Sequence, residues 1–395
     1  MTSAPWRAEG TCDVGAASIR YRLDGPAAGP VLVLANSLGT TLSLWDAHVP
    51  RLSGFVRVLR YDQRGHGGSS APQGPYSIDD LGTDLVGLLD TLGIQQAALC
   101  GISLGGMTAM WVAARHPARV TSLVAACTAA ELGPAQGWDE RAAAVRAGGT
   151  GVLAASLFER WFPPAVRAAR PELQAMVDAM LARCDPEGYA SCCEAIATMD
   201  LRPVLGSVQA PSLVLAGAED PVTPPAMALE LAAALGSGLV VLPGAGHIAN
   251  VAAPDAFTDA VEAHVCGTAR ARGMAIRRAV LGNAHVDRSQ AQQDPGALAF
   301  ADYATRAAWG EIWARPGLDR RARSIATLAT LVALGRHEEL RIHVPGARRN
   351  GLSREEICEV VLHAGVYGGV PAANSAMPVV LDLLAGEDDD AGSAR

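Results

Sequence analysis

The hydrophobic pattern of the chain changes near Cys266, and this change restricts the fold more than any other feature. Before that residue, short apolar runs alternate with stretches of helical spacing, a pattern typical of a mostly parallel sheet covered by helices. After it, strand patterns are scarce and the spacing is helical. A chain of 395 residues is also too long for one typical domain. We therefore predict an α/β domain over residues 1–266, followed by an all-α domain.

The first domain contains a series of candidate strands, with an interruption in the middle. Over residues 130–202 the alternation lapses, and aromatic and methionine residues recur at the spacing of amphipathic helices. We expect this stretch to form a helical cap inserted into the sheet domain. The candidate strands are residues 31–35, 56–61, 97–100, 122–127, 212–216 and 239–242.

The second domain begins after a segment rich in arginine and glycine. We take residues 267–273 as a linker, residues 274–386 as the helical body, and the acidic residues 387–395 as a disordered tail. Ser353, followed three residues later by Glu356, predicts a capping box that opens a helix. The segments with helical spacing are 302–313, 319–334 and 353–363, and the separators between them are 315–317 and 345–351.

Composition excludes several classes of function. Lysine is absent, which removes Schiff-base, pyridoxal-phosphate and P-loop chemistry. The eight cysteines lack C-x-x-C spacing, so we expect free thiols in a reducing compartment and no zinc site. No basic stripe with aromatic residues suggests nucleic-acid binding, no apolar run could span a membrane, and residues 1–10 lack a signal-peptide pattern. We expect a cytoplasmic enzyme that needs no metal or other cofactor.

A serine between glycines carries the chemistry of the first domain. Residues 101–105 have the sequence Gly-Ile-Ser-Leu-Gly between a candidate strand and a helix-forming run, the pattern of a nucleophile elbow. Asp220 and His247 each follow a later candidate strand, in the chain order expected for the acid and the base. Because a serine hydroxyl is a poor nucleophile, His247 must accept the proton of Ser103. Asp220 must then hold the imidazole in the productive tautomer.

Further residues of the first domain can be given roles around this serine. The oxyanion of the tetrahedral intermediate needs two backbone N–H donors, which we expect from Leu104 and from Leu38 in the loop after the first buried strand. Glu131, after the preceding strand, and Glu219 are the alternative candidates for the acid. We interpret His66 as a structural histidine.

These residues resemble the 3-oxoadipate enol-lactonases of the α/β-hydrolase superfamily. The resemblance spans most of residues 16–265 and includes Asn-Ser-Leu-Gly at 36–39, Tyr-Asp-Gln-Arg-Gly-His-Gly at 61–67, and the elbow. It implies hydrolysis of a lactone, with the cap closing over a substrate that carries a carboxylate. Trp138 and Arg141 in the cap are therefore candidate substrate-binding residues. The alternative for these two is ordinary cap packing and a solvated arginine.

Glu339 and His343 of the second domain are four residues apart, so they share one helix face and can act on the same atom. On an anonymous helix they would be an ordinary surface pair. Several segments between residues 309 and 371, however, resemble the 4-carboxymuconolactone decarboxylases almost end to end. Peroxidase-like relatives of that family carry cysteines where this chain has Arg336 and Glu339, which excludes thiol peroxidase chemistry.

The second resemblance implies a decarboxylation that needs no cofactor. The electrons left by CO2 can delocalise through the alkene of carboxymuconolactone into the lactone carbonyl. The protein therefore needs only to bind the carboxylates, stabilise the oxyanion and protonate a carbon. His343, oriented by Glu339, is the candidate proton donor, and His363 with Tyr367 is the reserve pair. The candidate carboxylate ligands are Arg320, Arg321 and Arg323.

Together the two resemblances predict a bifunctional enzyme, because the decarboxylase product, 3-oxoadipate enol-lactone, is the lactonase substrate. Two alternatives stay open: a hydrolase of another ester or lactone whose α-domain serves oligomerisation, or an α-domain that binds a ligand without catalysis. Because the decarboxylase family forms helical oligomers, we expect a homo-oligomer built through residues 268–385. Its substrates would be small carboxylated lactones, and neither nucleic acid nor a membrane would be a partner.

Overall fold

The computed structural model of the protein describes residues 6–26, 29–267, 269–291, 294–315 and 317–392. The chain divides into two compact units, with the boundary between Cys266 and Gly267. The first is built on a sheet and the second is helical, so the predicted fold class is confirmed. Within these ranges, no helix combines the length and the apolar character needed to cross a bilayer.

An eight-stranded sheet organises the first unit. Its strands are β1 (Trp6–Val14), β2 (Ala17–Gly25), β3 (Val31–Ala35), β4 (Arg57–Tyr61), β5 (Ala97–Ile102), β6 (Val120–Ala126), β7 (Ser212–Gly217) and β8 (Gly238–Leu242). They are ordered β1-β2-β4-β3-β5-β6-β7-β8; the pairs β1–β2 and β2–β4 are antiparallel and the others are parallel. β3 and β5 are buried along their whole length, as expected for central parallel strands covered on both faces.

Six of these strands match the sequence candidates to within two residues at either end. β1 and β2, an antiparallel hairpin that turns at Gly15, were not predicted. In β2 the buried residues Ala17, Ile19 and Leu23 all lie at odd-numbered positions, and the even-numbered positions between residues 17 and 25 are polar or charged. This is the pattern of a strand with one buried face, so alternation was the signal that could have identified it.

Helices connect the strands of the first unit. They are α1 (Val49–Leu52), α2 (Ile78–Thr91), α3 (Leu104–Arg115), α4 (Ala135–Gly148), α5 (Ala154–Trp161), α6 (Pro164–Ala169), α7 (Leu173–Leu181), α8 (Pro186–Thr198), α9 (Pro225–Leu235), α10 (Ala249–Ala252) and α11 (Pro254–Val265). Short 3-10 helices cover Leu42–Trp45, Pro117–Arg119, Thr150–Leu153 and Arg202–Ser207. The stretch predicted to form the cap contains α4 to α8, between β6 and β7.

The second unit is helical and has two separate apolar clusters. Its helices are α12 (Ala269–Leu281), α13 (Asn283–Gln290), α14 (Pro295–Ala304), a π-helix (Thr305–Ile312), α15 (Arg320–Ala333), α16 (His337–Arg349), α17 (Arg354–Gly368) and α18 (Val370–Gly392). The larger cluster joins α15 to α18 through residues such as Leu328, Val344 and Val380. The smaller one places Trp309 of the π-helix against Val280 of α12.

Three boundary predictions for the second unit differ from the structure. Residues 267–273 were expected to be a linker, but α12 begins at Ala269. The close packing of α12 against the π-helix explains the difference. A Cβ on Gly273 would lie 2.0 Å from the carbonyl oxygen of Thr305, the first residue of the π-helix. Pro345, expected in a loop, lies inside α16, where the buried neighbours on either side keep the helix packed across it.

The third difference concerns the end of the chain. α18 extends to Gly392, so it includes acidic residues that were expected to be disordered. The sequence contains no proline after Pro378 that would end the helix earlier. Residues 393–395 of the predicted tail, and Pro316 of the predicted separator, lie outside the described residues. The capping box predicted at Ser353 and Glu356 is confirmed.

Candidate active sites

Ser103, Asp220 and His247 come together at the carboxyl edge of the sheet, where the loops after parallel strands meet. Ser103 lies between β5 and α3, Asp220 follows β7, and His247 follows β8. The His247 Nε2 atom lies 3.0 Å from the Ser103 Oγ atom, and its Nδ1 atom lies 3.1 and 2.9 Å from the two Asp220 oxygens. All three side chains are buried. This arrangement places a base beside the hydroxyl and a carboxylate behind the base.

The backbone at Ser103 has φ of 55° and ψ of −120°, a conformation that residues with a Cβ rarely adopt. Neighbouring glycines allow the sharp turn. A Cβ on Gly101 would lie 2.1 Å from the Gly105 carbonyl oxygen, and a Cβ on Gly105 would lie 2.3 Å from the Ala35 carbonyl oxygen. The elbow therefore packs directly against the backbone at the end of β3.

Two backbone N–H groups near Ser103 are available to a substrate. Leu104 is the first residue of α3, and Leu38 lines the same cavity as Ser103. Within the described residues, neither N–H donates a hydrogen bond, which is the requirement for oxyanion donors. Gly39, the next residue in the loop, donates its N–H to the His66 Nε2 atom at 3.0 Å. His66 therefore fixes the position of this loop through that hydrogen bond.

The Asp220 carboxylate is surrounded by donors. Its Oδ1 atom accepts the N–H groups of Val222 and Thr223 at 2.8 and 3.1 Å, and its Oδ2 atom accepts the Thr223 hydroxyl at 2.7 Å. Burial acts to raise the pKa of Asp220, but His247 and Thr223 outweigh it and hold that pKa below its usual value. Asp220 is consequently ionised at neutral pH and can stabilise an imidazolium.

The alternative acids lie away from the histidine. Glu131 forms an ion pair with Arg202 at 2.9 Å. Glu219, although adjacent to Asp220 in the chain, is exposed to solvent. Asp220 is thus the carboxylate in contact with His247.

Two adjoining cavities lead from Ser103 into the cap. The inner one measures about 20 Å³ and contacts Ser103 and His247; the outer one measures about 290 Å³. Both are lined by Trp138, Arg141, Arg160 and Val222. The indole N–H of Trp138 donates to the Leu132 carbonyl oxygen at 2.8 Å, and the Arg141 guanidinium lies 5.0 Å above the indole ring. Trp138 and Arg141, predicted from the sequence, thus line the cavities, and Arg160, which was not predicted, joins them.

His343 of the second unit lies on α16 and stacks on Trp309 of the π-helix. The ring centroids are 6.2 Å apart and the rings are parallel within 6°. Burial and then His285 lower the pKa of His343, while the charge of Glu339 acts against them. Glu339 itself is exposed in the first turn of α16, and no hydrogen bond joins it to His343 in the described part of the chain. The expected orientation of His343 by Glu339 therefore does not occur through direct contact.

A group of basic side chains next to His343 was not predicted. Burial, followed by the charges of Arg277, Arg288 and Arg349, lowers the pKa of His285. Arg277 is only 8% exposed, and its guanidinium donates to two hydroxyl oxygens at 3.0 and 2.8 Å. Among the described residues it has no carboxylate partner, so this part of the interior carries an uncompensated positive charge.

Two of the three arginines predicted to bind carboxylates have other partners. Arg321 forms a bidentate ion pair with Glu356, and Arg323 donates to two backbone carbonyl oxygens at 3.2 and 2.8 Å. Arg320 is exposed. These residues begin α15, where Arg320 and Arg323 are three positions apart and share a helix face while Arg321 points away from both, so the three side chains do not all meet at one ligand. Arg321 instead binds Glu356 in the first turn of α17.

His363 and Tyr367, the reserve pair, lie at the surface with their ring centroids 5.2 Å apart. They belong to an apolar face around the end of α17 that we call the α17 face. Its residues Val366, Tyr367 and Val370 are 75%, 81% and 74% exposed. Exposed apolar patches of this kind are typical of protein–protein contacts.

Comparison with known proteins assigns a family to each unit. The profile of the alpha/beta hydrolase fold matches residues 30–153, that of TAP-like proteins residues 185–270, and that of the carboxymuconolactone decarboxylase family residues 299–382. The 3-oxoadipate enol-lactonase 2 of Acinetobacter baylyi is 45% identical over 246 residues, which cover 62% of this chain and 92% of that protein. The 4-carboxymuconolactone decarboxylase of the same organism is 44% identical over 113 residues, which cover 29% of this chain and 84% of that protein.

Solved structures agree for the first unit. The enol-lactonase from Burkholderia xenovorans LB400 superimposes with a TM-score of 0.64 at 42% identity, covering 65% of this chain and 100% of that one. The decarboxylase profile lies wholly within the second unit. The chain therefore belongs to the 3-oxoadipate enol-lactonases of the α/β-hydrolase superfamily through its first unit, and to the carboxymuconolactone decarboxylase family through its second.

Proposed function

We propose that the protein catalyses two consecutive reactions. The second unit decarboxylates 4-carboxymuconolactone to 3-oxoadipate enol-lactone, and the first unit hydrolyses that lactone to 3-oxoadipate. The observation that carries the proposal is that one chain joins relatives of two enzymes, one of which makes the substrate of the other. The hydrogen bonds that link Ser103, His247 and Asp220 support the hydrolytic step.

Hydrolysis would proceed through an acyl-enzyme. His247 takes the proton of Ser103 while the Ser103 oxygen attacks the lactone carbonyl, and the N–H groups of Leu38 and Leu104 stabilise the oxyanion. The ring oxygen leaves as an enolate, which becomes a ketone on protonation and makes the opening favourable. Water, activated by His247, then releases the acid from Ser103. The ionised Asp220 stabilises the imidazolium in both steps.

Decarboxylation would take place around His343. Its lowered pKa leaves the imidazole neutral at neutral pH, but a substrate with two carboxylates beside it would raise that pKa. His343 would thus acquire its proton with the substrate and deliver it to the dienolate carbon after CO2 leaves. Arg277 and His285 are the groups best placed to bind the carboxylates, because the Arg277 charge has no acidic partner within the described residues. Glu339 would act through its charge.

The proposal includes a homo-oligomer that assembles through the second unit, which the exposed α17 face supports. We also propose a cytoplasmic location, which is supported by eight cysteines that are all free thiols. Light scattering of the purified protein tests the assembly. Val366→Asp together with Tyr367→Asp should reduce the particle mass, whereas an unchanged mass would contradict assembly through this face.

The test of the two reactions supplies the purified protein with carboxymuconolactone and follows CO2, enol-lactone and 3-oxoadipate. Ser103→Ala should release CO2 and accumulate enol-lactone, and His343→Ala should open supplied enol-lactone but release no CO2. Ser237→Ala and His264→Ala, partly exposed residues of the same types, are the matched controls. Loss of CO2 release in Ser103→Ala would refute two separate sites. A wild-type protein that releases no CO2 would show that the second unit only assembles or binds ligands.

A further inference from the structure

Arg160 is a cap arginine beside the cavities of the first unit. It lies on α5 and lines both the outer cavity and the inner cavity that contacts Ser103 and His247. Trp161, the next residue, lines the inner cavity as well. The inner cavity measures only about 20 Å³, so most of a substrate would occupy the outer cavity, which Arg141 and Arg160 line.

Two positive charges share this space without an acidic partner. The Arg141 and Arg160 guanidiniums line the same two cavities, and neither forms an ion pair in the ranges that the structure describes. Partial burial and then the Arg141 charge lower the pKa of Arg160. Asp220 attracts Arg160 from a distance, but its oxygens are already occupied by His247 and Thr223. Two like charges in a partly buried cavity are unfavourable alone and favourable around a bound anion.

The chemistry of the two side chains indicates which anion fits. A guanidinium is planar and donates two parallel hydrogen bonds, which match a carboxylate. Arg141 already lies over the Trp138 ring, so part of its surface is committed to that contact. Arg160 makes no such ring contact within the described residues. More of the Arg160 guanidinium than of the Arg141 guanidinium is therefore available to a ligand.

We propose that Arg160 is a specificity-determining residue that, together with Arg141, binds the carboxylate of the substrate. The site would select lactones and esters that carry a carboxylate a short chain away from the scissile carbonyl. The reacting bond itself needs no such charge, so the uncharged analogue of the same lactone should lose affinity and not reactivity. This inference rests on the proposed lactonase function. It adds Arg160 to the site and explains a preference for substrates that carry a carboxylate.

The test compares 3-oxoadipate enol-lactone with its methyl ester, which has the same reacting bond but no carboxylate. Arg160→Gln should lower kcat/KM for the free acid by about 10- to 100-fold, the loss expected for a hydrogen bond to a charged group. The methyl ester should change by less than about threefold. Arg160→Lys should recover part of the loss, because it restores the charge without the planar fork. Arg183→Gln, an exposed arginine of the cap, is the matched control and should alter neither substrate.

Folding is checked by the unfolding midpoint of each variant, and Arg160→Met replaces Arg160→Gln if the latter does not fold. Equal losses on both substrates would mean that Arg160 supports the cap, and the inference would be wrong. A wild-type protein that opens the ester as fast as the acid would also overturn the inference while leaving the lactonase function in place. A wild-type protein that opens neither substrate would overturn the proposed function and this inference with it.

Discussion

Replacing Asp220 by asparagine should stop hydrolysis by changing the tautomer of His247. The Asp220 Oδ1 atom accepts two backbone N–H groups, from Val222 and Thr223, at 2.8 and 3.1 Å. These donors cannot turn away, so the carbonyl oxygen of asparagine must take the Oδ1 position and its NH2 group the Oδ2 position. That NH2 group then faces the His247 Nδ1 atom at about the 2.9 Å now seen for Oδ2.

Two donors cannot share one hydrogen bond, so the His247 Nδ1 atom must give up its proton and the Nε2 atom must carry it. The Nε2 atom lies 3.0 Å from the Ser103 Oγ atom and could then no longer accept the serine proton. In a serine triad of this connectivity, the same substitution lowers kcat on the order of 10⁴-fold. This corresponds to about 5.5 kcal/mol of transition-state stabilisation.

The assay is the steady-state opening of enol-lactone by purified Asp220→Asn, with the unfolding midpoint measured alongside. Glu219→Gln is the control, because it removes an exposed acid adjacent in the chain and should leave kcat unchanged. If Asp220→Asn kept more than about a tenth of the wild-type kcat, the tautomer argument would be refuted.

Three further predictions concern stability and packing. Burial lowers the pKa of His48 from 6.5 to about 4. As the pH falls, the unfolded chain therefore binds this proton first, and stability is lost between those two values. From about pH 7 to about pH 4, the free energy of unfolding of the wild type should fall by about 3 kcal/mol more than that of His48→Gln, measured by urea denaturation. An equal fall in the two proteins would contradict this. Gly105→Ala should destroy lactonase activity, since its Cβ would lie 2.3 Å from the Ala35 carbonyl oxygen, whereas Gly206→Ala, with open space around it, should not. Ser353→Ala should lower the free energy of unfolding by about 1 kcal/mol in denaturant titrations, and no change would show that the cap is dispensable.

The sheet and the hydrolytic residues could be predicted because their signals are local. Ser103 stands in a turn pattern set by its glycine neighbours, and Asp220 and His247 each follow an apolar run. Parallel strands bring such loop residues to one edge, so chain order was enough to group them. The hairpin of β1 and β2 was missed because its strands contain no continuous apolar run, and only their alternation indicated a strand.

Arg160 at the first site and Arg277 at the second could not be predicted, because their positions depend on packing between distant segments. Arg160 and Arg141 meet across the cap from different helices. Arg277 lies near His285, and His285 near His343, only because α12 packs against both α13 and α16. No local pattern distinguishes such an arginine from one on the surface.

At residues 320–323 the sequence named three arginines as candidate carboxylate ligands, and this role stays a prediction. The geometry of a helix separates neighbours in sequence by about 100°, so a dense run of charge usually spreads around the helix. The partners of Arg321 and Arg323 on different elements show this separation.

The backbone at Ser103 has a consequence for how this enzyme can evolve. Within the described ranges, Ser103 and Cys127 are the two non-glycine residues with positive φ, and they follow neighbouring strands of the sheet. Conformations of this kind cost about 1–3 kcal/mol each. Glycine would relax the turn at position 103 but would remove the nucleophile, so selection for turnover and selection for heat resistance act there in opposite directions. A Ser103→Gly protein that is inactive yet melts higher would reveal that conflict directly.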